Sequence, residues 1–172
     1  LGAKLAELAP GDIDVFFFTN GGADANENAI KIARAYTGRH KILARYRSYH
    51  GGTHGAMALT GDPRRWSTEP GMSGVVHVLD PYHGMARGWD TAADALAMLE
   101  EVIELEGPQT IAAFFLETVS GTNGVLIPPD GYLAGVRALC TRHGILMVCD
   151  EVMAGFGRTG EWFDVNHWNV VP

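Results

Sequence analysis

The sequence predicts an α/β fold with a mostly parallel sheet flanked by helices, and three observations carry that prediction. Short apolar runs alternate along the chain with longer segments of helical period. The runs are apolar throughout rather than at every second residue, which is the pattern of strands buried on both faces. No repeat, charge block or low-complexity linker interrupts the alternation, so residues 1–172 read as one domain or most of one.

Residues 1–8 read as the tail of an amphipathic helix that lacks a start signal. Residues 14–18 (Asp-Val-Phe-Phe-Phe) form the first predicted strand, broken by Thr19-Asn20-Gly21-Gly22. Ala29, Ile32, Ala33 and Tyr36 then recur at helical spacing, and Gly38 ends that helix. Residues 41–45 make the second strand, and a glycine-rich passage follows over residues 51–61. Residues 75–79 are the third strand. Asp90 and Thr91 can cap a helix whose inner face is Ala92, Leu96, Leu99 and Ile103. Residues 111–116 are the fourth strand. A helix over residues 131–143 turns Leu133, Val136, Leu139 and Cys140 inward and stops at Gly144, and residues 145–149 are the fifth strand.

Composition excludes several classes. With 47% hydrophobic residues in 172, the chain can bury a real core. Charged residues make up 19% without a block, which argues against wholesale disorder. A net charge of -7 and no basic face argue against a nucleic-acid partner. Arg39, Lys41, Arg45, Arg47, Arg64 and Arg65 read as a solvated or ligand-facing rim. No apolar run reaches membrane-spanning length and no basic-then-apolar leader is visible, so a cytoplasmic protein with no membrane partner is expected. Cys140 and Cys149 lie in apolar surroundings and read as buried thiols, not a disulfide. Both ends read as cut, because residues 1–8 have no helix start and Val170-Val171-Pro172 stops where another strand could begin.

In open α/β sheets, ligands bind beyond the carboxyl ends of the strands, so the residues after each strand carry the functional signal. After the first comes Thr19-Asn20-Gly21-Gly22-Ala23, opening a helix. Glycine backbone and a helix N-terminus suit a phosphate, although an ordinary strand-to-helix turn has the same look. Neither nucleotide fingerprint, G-x-G-x-x-G or G-x-x-x-x-G-K, is present. After the second strand come Tyr49, His50, Gly51 and Gly52, where an aromatic beside small residues can lie on a planar ring. His50 and His54 are four apart, but Gly51-Gly52 between them disfavours the rigid helix a metal pair needs, so no metal is expected. Glu117 follows the fourth strand and either serves the site or pairs with an arginine at the sheet edge. Asp150 follows the fifth. An acid ending an apolar strand must be neutralised, by a protonated ring nitrogen or by an arginine such as Arg158.

These segments resemble the class III, pyridoxal-phosphate (PLP) dependent aminotransferases of fold type I. The resemblance rests on Asp150-Glu151-Val152-Met153-Ala154-Gly155-Phe156-Gly157-Arg158-Thr159-Gly160, on Tyr49-His50-Gly51 and on Pro128-Pro129-Asp130-Gly131-Tyr132, in the family's order. It implies that residues 1–172 are part of the PLP-binding large domain. Gly22 and Ala23 would hold the cofactor phosphate through backbone N–H groups. Tyr49 would stack on one face of the pyridine ring and Val152 would pack on the other. Asp150 would keep the ring nitrogen protonated, Glu117 would stand near the reacting centre, and His50 and Gly51 would shape the wall.

The segments over residues 45–66 and 121–137 are most similar to taurine–2-oxoglutarate and other ω-amino-acid aminotransferases. The implied reaction moves an amino group from an ω-amino donor such as taurine to a 2-oxo acid, in a homodimer. An aminomutase, a decarboxylase or a non-catalytic binder of PLP or phosphate would share the fold. Two departures stand out. Met153 occupies a position where many members carry Gln. The three lysines, Lys4, Lys31 and Lys41, all lie away from the family's Schiff-base lysine position, which falls beyond Pro172 together with the small domain. The 172-residue chain alone is therefore expected to be inactive.

Overall fold

The structure, a computed structural model, describes residues 1–82 and 91–172. Four strands form one sheet: β1 (Lys41–Arg45), β2 (Val75–Val78), β3 (Ile111–Glu117) and β4 (Leu146–Asp150). Their order is β2-β1-β3-β4 and all three pairings are parallel. Among the described residues the helices α1 (Gly2–Ala6), α2 (Gly22–Thr37), α3 (His54–Leu59), α4 (Thr91–Glu106) and α5 (Tyr132–His143) accompany them.

Apolar runs become central strands because both sheet faces are covered. All seven residues of β3 are buried. Phe114 and Leu116 pack on one side with Leu99 and Ile103 of α4 and Leu133, Val136 and Leu139 of α5. Phe115 packs on the other with Ile30 and Ala33 of α2 and Leu59 of α3. Each such side chain contributes about 1.5–3 kcal/mol of burial. Left-handed glycines end two helices, Gly38 after α2 at φ 67° and Gly144 after α5 at φ 62°. Among the described residues no helix is long and apolar enough to cross a membrane.

The structure corrects the first predicted strand. Residues 14–18 have no ladder partner among the described residues, and Val15, Phe17 and Phe18 are 86%, 69% and 59% exposed. A run of high strand propensity becomes a strand only where a neighbour offers backbone donors and acceptors. Here Ile13 and Phe16 share a small cavity with Cys149 and Val165, so the segment meets the β4 side of the sheet through side chains. Residues 1–8 are helical only over Gly2–Ala6. The Asp90 cap lies outside the described residues, as does the side chain of Thr91.

The expected basic rim is corrected at two of its six members, while Arg47 and Arg64 are exposed. Arg45 ends a central strand and is buried, while Arg39 spends its guanidinium on the carbonyls of Pro108, Ile111, His143 and Gly144. Both cysteines are free thiols. Burial pushes Cys140 up to about 11, and burial with the nearby Glu151 charge pushes Cys149 up to about 12. Neither should form appreciable thiolate at pH 8. Iodoacetamide labelling of the native protein, followed by mass spectrometry, should modify both at least tenfold more slowly than in denaturant.

Candidate cofactor site

The sheet's carboxyl edge presents three charged residues in adjacent strands, Arg45 on β1, Glu117 on β3 and Asp150 on β4. Glu117 and Asp150 are register partners. The strand period and the parallel order therefore bring two acids to one edge, and the loops after the strands close over them.

Asp150 is buried, and its neutralising partner is not Arg158, which is exposed. Nδ1 of His50 lies 2.8 Å from Asp150 Oδ2. Asn26 Nδ2 donates to the same oxygen at 2.8 Å, and Val152 N–H donates to Oδ1 at 3.1 Å. Burial works to raise this carboxyl, but the His50 contact, the Asn26 amide and the Val152 N–H outweigh it and hold the group below its ordinary value. Asn26 also donates to the His50 carbonyl at 2.8 Å, so one side chain of α2 ties the histidine loop to the strand end. His50 Nε2 is buried without a hydrogen-bond partner among the described residues. His54, exposed at the start of α3, takes no part.

Glu117 makes two backbone contacts. Tyr49 N–H donates to Oε1 and Gly121 N–H to Oε2, each at 2.9 Å. Arg45 donates to the Glu117 main-chain carbonyl and, at 3.2 Å, to Ser120 Oγ. Both carboxylate oxygens thus hold loops, one carrying Tyr49 and one carrying Gly121.

Gly22, Ala23, Tyr49, His50, Gly51, Glu117, Asp150, Val152 and Met153 all line one cavity of about 310 Å³, joined by Gly52 and Thr122. Its floor depends on missing side chains. Gly51 has φ +130°, and a Cβ there would lie 2.4 Å from Ala23 Cβ and 2.7 Å from Ala23 Cα. A Cβ on Gly22 would lie 2.7 Å from Val152 Cγ2, and one on Gly121 2.9 Å from Met153 Cγ. No side chain caps α2, and Ala25 N–H, bonded to Gly21 O at 2.9 Å, comes after Gly22 and Ala23 in the first turn. The Gly22 and Ala23 N–H groups therefore belong to the helix-end donors that lack intrahelical partners.

Sequence reading missed Asn26 and Thr122. The signal for Asn26 was available: it sits four residues before Ile30, on the buried face of α2. Thr122 lines the cavity next to Gly121, whose N–H the Glu117 carboxylate holds, a contact that no spacing announces.

A parallel α/β sheet with an uncapped helix end, an aromatic and a buried acid at its carboxyl edge has the features that suit a planar, phosphorylated ring. The comparisons agree. The family model "Aminotransferase class-III" matches residues 1–172, and the chain belongs to that family, whose cofactor is PLP. It is 41% identical to the uncharacterized aminotransferase YhxA of Bacillus subtilis (strain 168), over 100% of this chain and 40% of that protein. Among solved structures it is similar to an (S)-enantioselective omega-transaminase from Thermomicrobium roseum, with TM-score 0.94 and 44% identity over 99% of this chain and 41% of that one. The taurine:2-oxoglutarate aminotransferase of Bifidobacterium kashiwanohense, solved with PLP and glutamate, gives TM-score 0.92 and 49% identity over 99% of this chain and 40% of that one. The chain thus spans about 40% of the length of these relatives.

Two expectations follow. Gly51→Ala should destabilise the protein by about 1–3 kcal/mol, since both the backbone conformation and the contact with Ala23 oppose a side chain; chemical denaturation measures it, and a neutral result would contradict the packing. The lowered Asp150 carboxyl contributes stability above its ordinary value of 3.8 and loses it as pH falls below that value. Asp150→Asn should flatten the acid limb of the stability curve below about pH 4, seen by denaturation at stepped pH.

Proposed function

We propose that the whole protein is a PLP-dependent aminotransferase that moves an amino group from an ω-amino donor such as taurine to a 2-oxo acid. The carrying observation is the single cavity that gathers all eight residues implied by the resemblance, with Met153 beside them. Family membership and the omega-transaminase and taurine aminotransferase likenesses support the reaction class. Residues 1–172 are read as part of the large, PLP-binding domain, and the whole protein as a cytoplasmic homodimer. The 172-residue chain by itself is read as inactive, because none of its three lysines lines the cavity.

The residues present fit the cofactor. The Gly51 and Gly22 surfaces are cradles that a Cβ would fill. The uncapped end of α2 offers Gly22 and Ala23 N–H groups to a phosphate. Asp150, held ionised, can accept a hydrogen bond from a protonated ring nitrogen, a charge-assisted contact of the stronger kind. Tyr49 and Val152 supply the two walls for the ring. Glu117 positions Tyr49, and His50 and Asn26 position Asp150. When bound, PLP supplies the electron sink and carries the amino group between donor and acceptor. Met153 offers a thioether to this cavity, so it cannot donate the amide hydrogen bond that Gln would make there.

The test is to supply the full-length protein with PLP, taurine or another ω-amino donor, and a 2-oxo acid, and to follow formation of the new amino acid. Asp150→Asn, with folding checked by circular dichroism, should lower kcat at least 100-fold, or about 2.7 kcal/mol of activation free energy. A near-wild-type kcat would remove Asp150 from the ring-nitrogen role. Measurable turnover by the 172-residue chain alone would overturn its assignment as inactive.

A further inference from the structure

A second carboxylate is buried without the help that Asp150 receives. Asp164 opens the short helical turn Asp164–Trp168 and is 0% exposed. Neither Oδ1 nor Oδ2 has a hydrogen-bond partner among the described residues. The neighbouring groups supply none. Glu151, another acid, accepts the Asp164 N–H at 2.8 Å and the Val165 N–H at 2.9 Å. His167 Nε2 lies 3.2 Å from the Thr159 carbonyl and 3.1 Å from the Thr159 hydroxyl. Arg158, the one cation in the loop between β4 and this turn, is exposed and gives Asp164 no hydrogen bond.

Asp164 lines a cavity of about 360 Å³ that shares no lining residue with the cofactor cavity. Val119, Val125, Ile127 and Trp168 give it apolar walls. Val125 and Ile127 are 68% and 62% exposed, so apolar surface lies open beside a buried acid. An apolar stem that ends in a cation matches both features. Two free oxygens on one carboxylate can take the fork of a guanidinium or an ammonium. A buried carboxylate left unpaired destabilises the fold for as long as the protein is folded. A resident side chain meets that need at all times, whereas a diffusible ligand meets it only while bound. The chain spans about 40% of the length of its relatives, so a longer protein has ample sequence to supply the side chain.

We propose that the cavity at Asp164 is a socket for an arginine or lysine of this protein's own chain from outside residues 1–172. The cation pairs with the Asp164 carboxylate, and the stem covers Val125 and Ile127. Because Val119 and Val125 belong to the loop whose Thr122 lines the cofactor cavity, the docked segment also braces that loop from its other side. The inference rests on the reading of residues 1–172 as part of a longer protein. It does not need transaminase activity, and its test does not measure any.

The experiment uses the full-length protein and thermal denaturation. Asp164→Asn keeps the size of the side chain and strands the docked cation, so Tm should fall by about 3 °C or more. An unchanged or raised Tm would overturn the proposal, since neutralising an unpaired buried acid relieves the fold. Arg158→Gln should leave Tm unchanged; a loss equal to that of Asp164→Asn would assign the partner to Arg158 and overturn the proposal. Asp164→Ala opens a hole beside the stranded cation. Formate should restore its Tm at least in part, while formamide, of the same size and without charge, should not, both at matched ionic strength. Equal effects of the two would remove the cation from the socket. If Asp164→Ala is recovered only unfolded, its refolding yield in formate against formamide reads the same rescue. Finally, calorimetric titration of the wild type with butylguanidinium should show no binding that depends on Asp164. Saturable binding abolished by Asp164→Asn would mean an open socket without a resident partner.

Discussion

A carboxylate at the end of a buried strand has to be kept charged without water, and the arrangement around Asp150 answers that need. Removing such a group from solvent unpaired would cost several kcal/mol. His50, Asn26 and the Val152 N–H share the task, and each comes from a different part of the chain. The histidine loop, the first turns of α2 and the turn after β4 are thereby drawn onto one strand end. Asn26 strengthens the link by also holding the His50 carbonyl. The electrostatic requirement and the assembly of the cavity are one and the same set of contacts.

Outward from Asp150 the same logic repeats. Glu117 holds the Tyr49 and Gly121 loops by their backbones, so the walls of the cavity are set by a group that is itself almost inaccessible. Arg64, further out, joins Tyr49 and Thr122 through its ring contact and hydrogen bond. The three layers run from a buried ionised acid, through a buried clamp, to an exposed cation. Glycines permit the closeness: Gly22, Gly51 and Gly121 are the points where Val152, Ala23 and Met153 come nearest the backbone.

Much of this was legible in residue order. Residues 41–45 were readable as a strand to the residue, and the runs at 75–79, 111–116 and 145–149 to within a residue at the ends, because both-face burial demands continuous apolar side chains. The helix stops at Gly38 and Gly144 were readable because each needs a left-handed backbone. Residues 14–18 misled for the same reason the others succeeded: apolar, β-prone composition reports a preference for a ladder and says nothing of whether an edge is present to pair with. Arg45 misled in another way. Charge suggested a rim, yet its position at the end of a central strand placed it under the Glu117 carbonyl.

The sequence by itself determined the fold class, the positions of the acids at strand ends and the glycines at close approaches, since these follow from local period and backbone freedom. Only the tertiary structure decided the partners. That Asp150 meets His50 and Asn26 instead of Arg158, that Glu117 spends an oxygen on the Tyr49 N–H, and that Arg64 faces Tyr49 depend on contacts between residues 15 to 124 positions apart. Such pairings are set by strand order and loop closure, which no local pattern encodes.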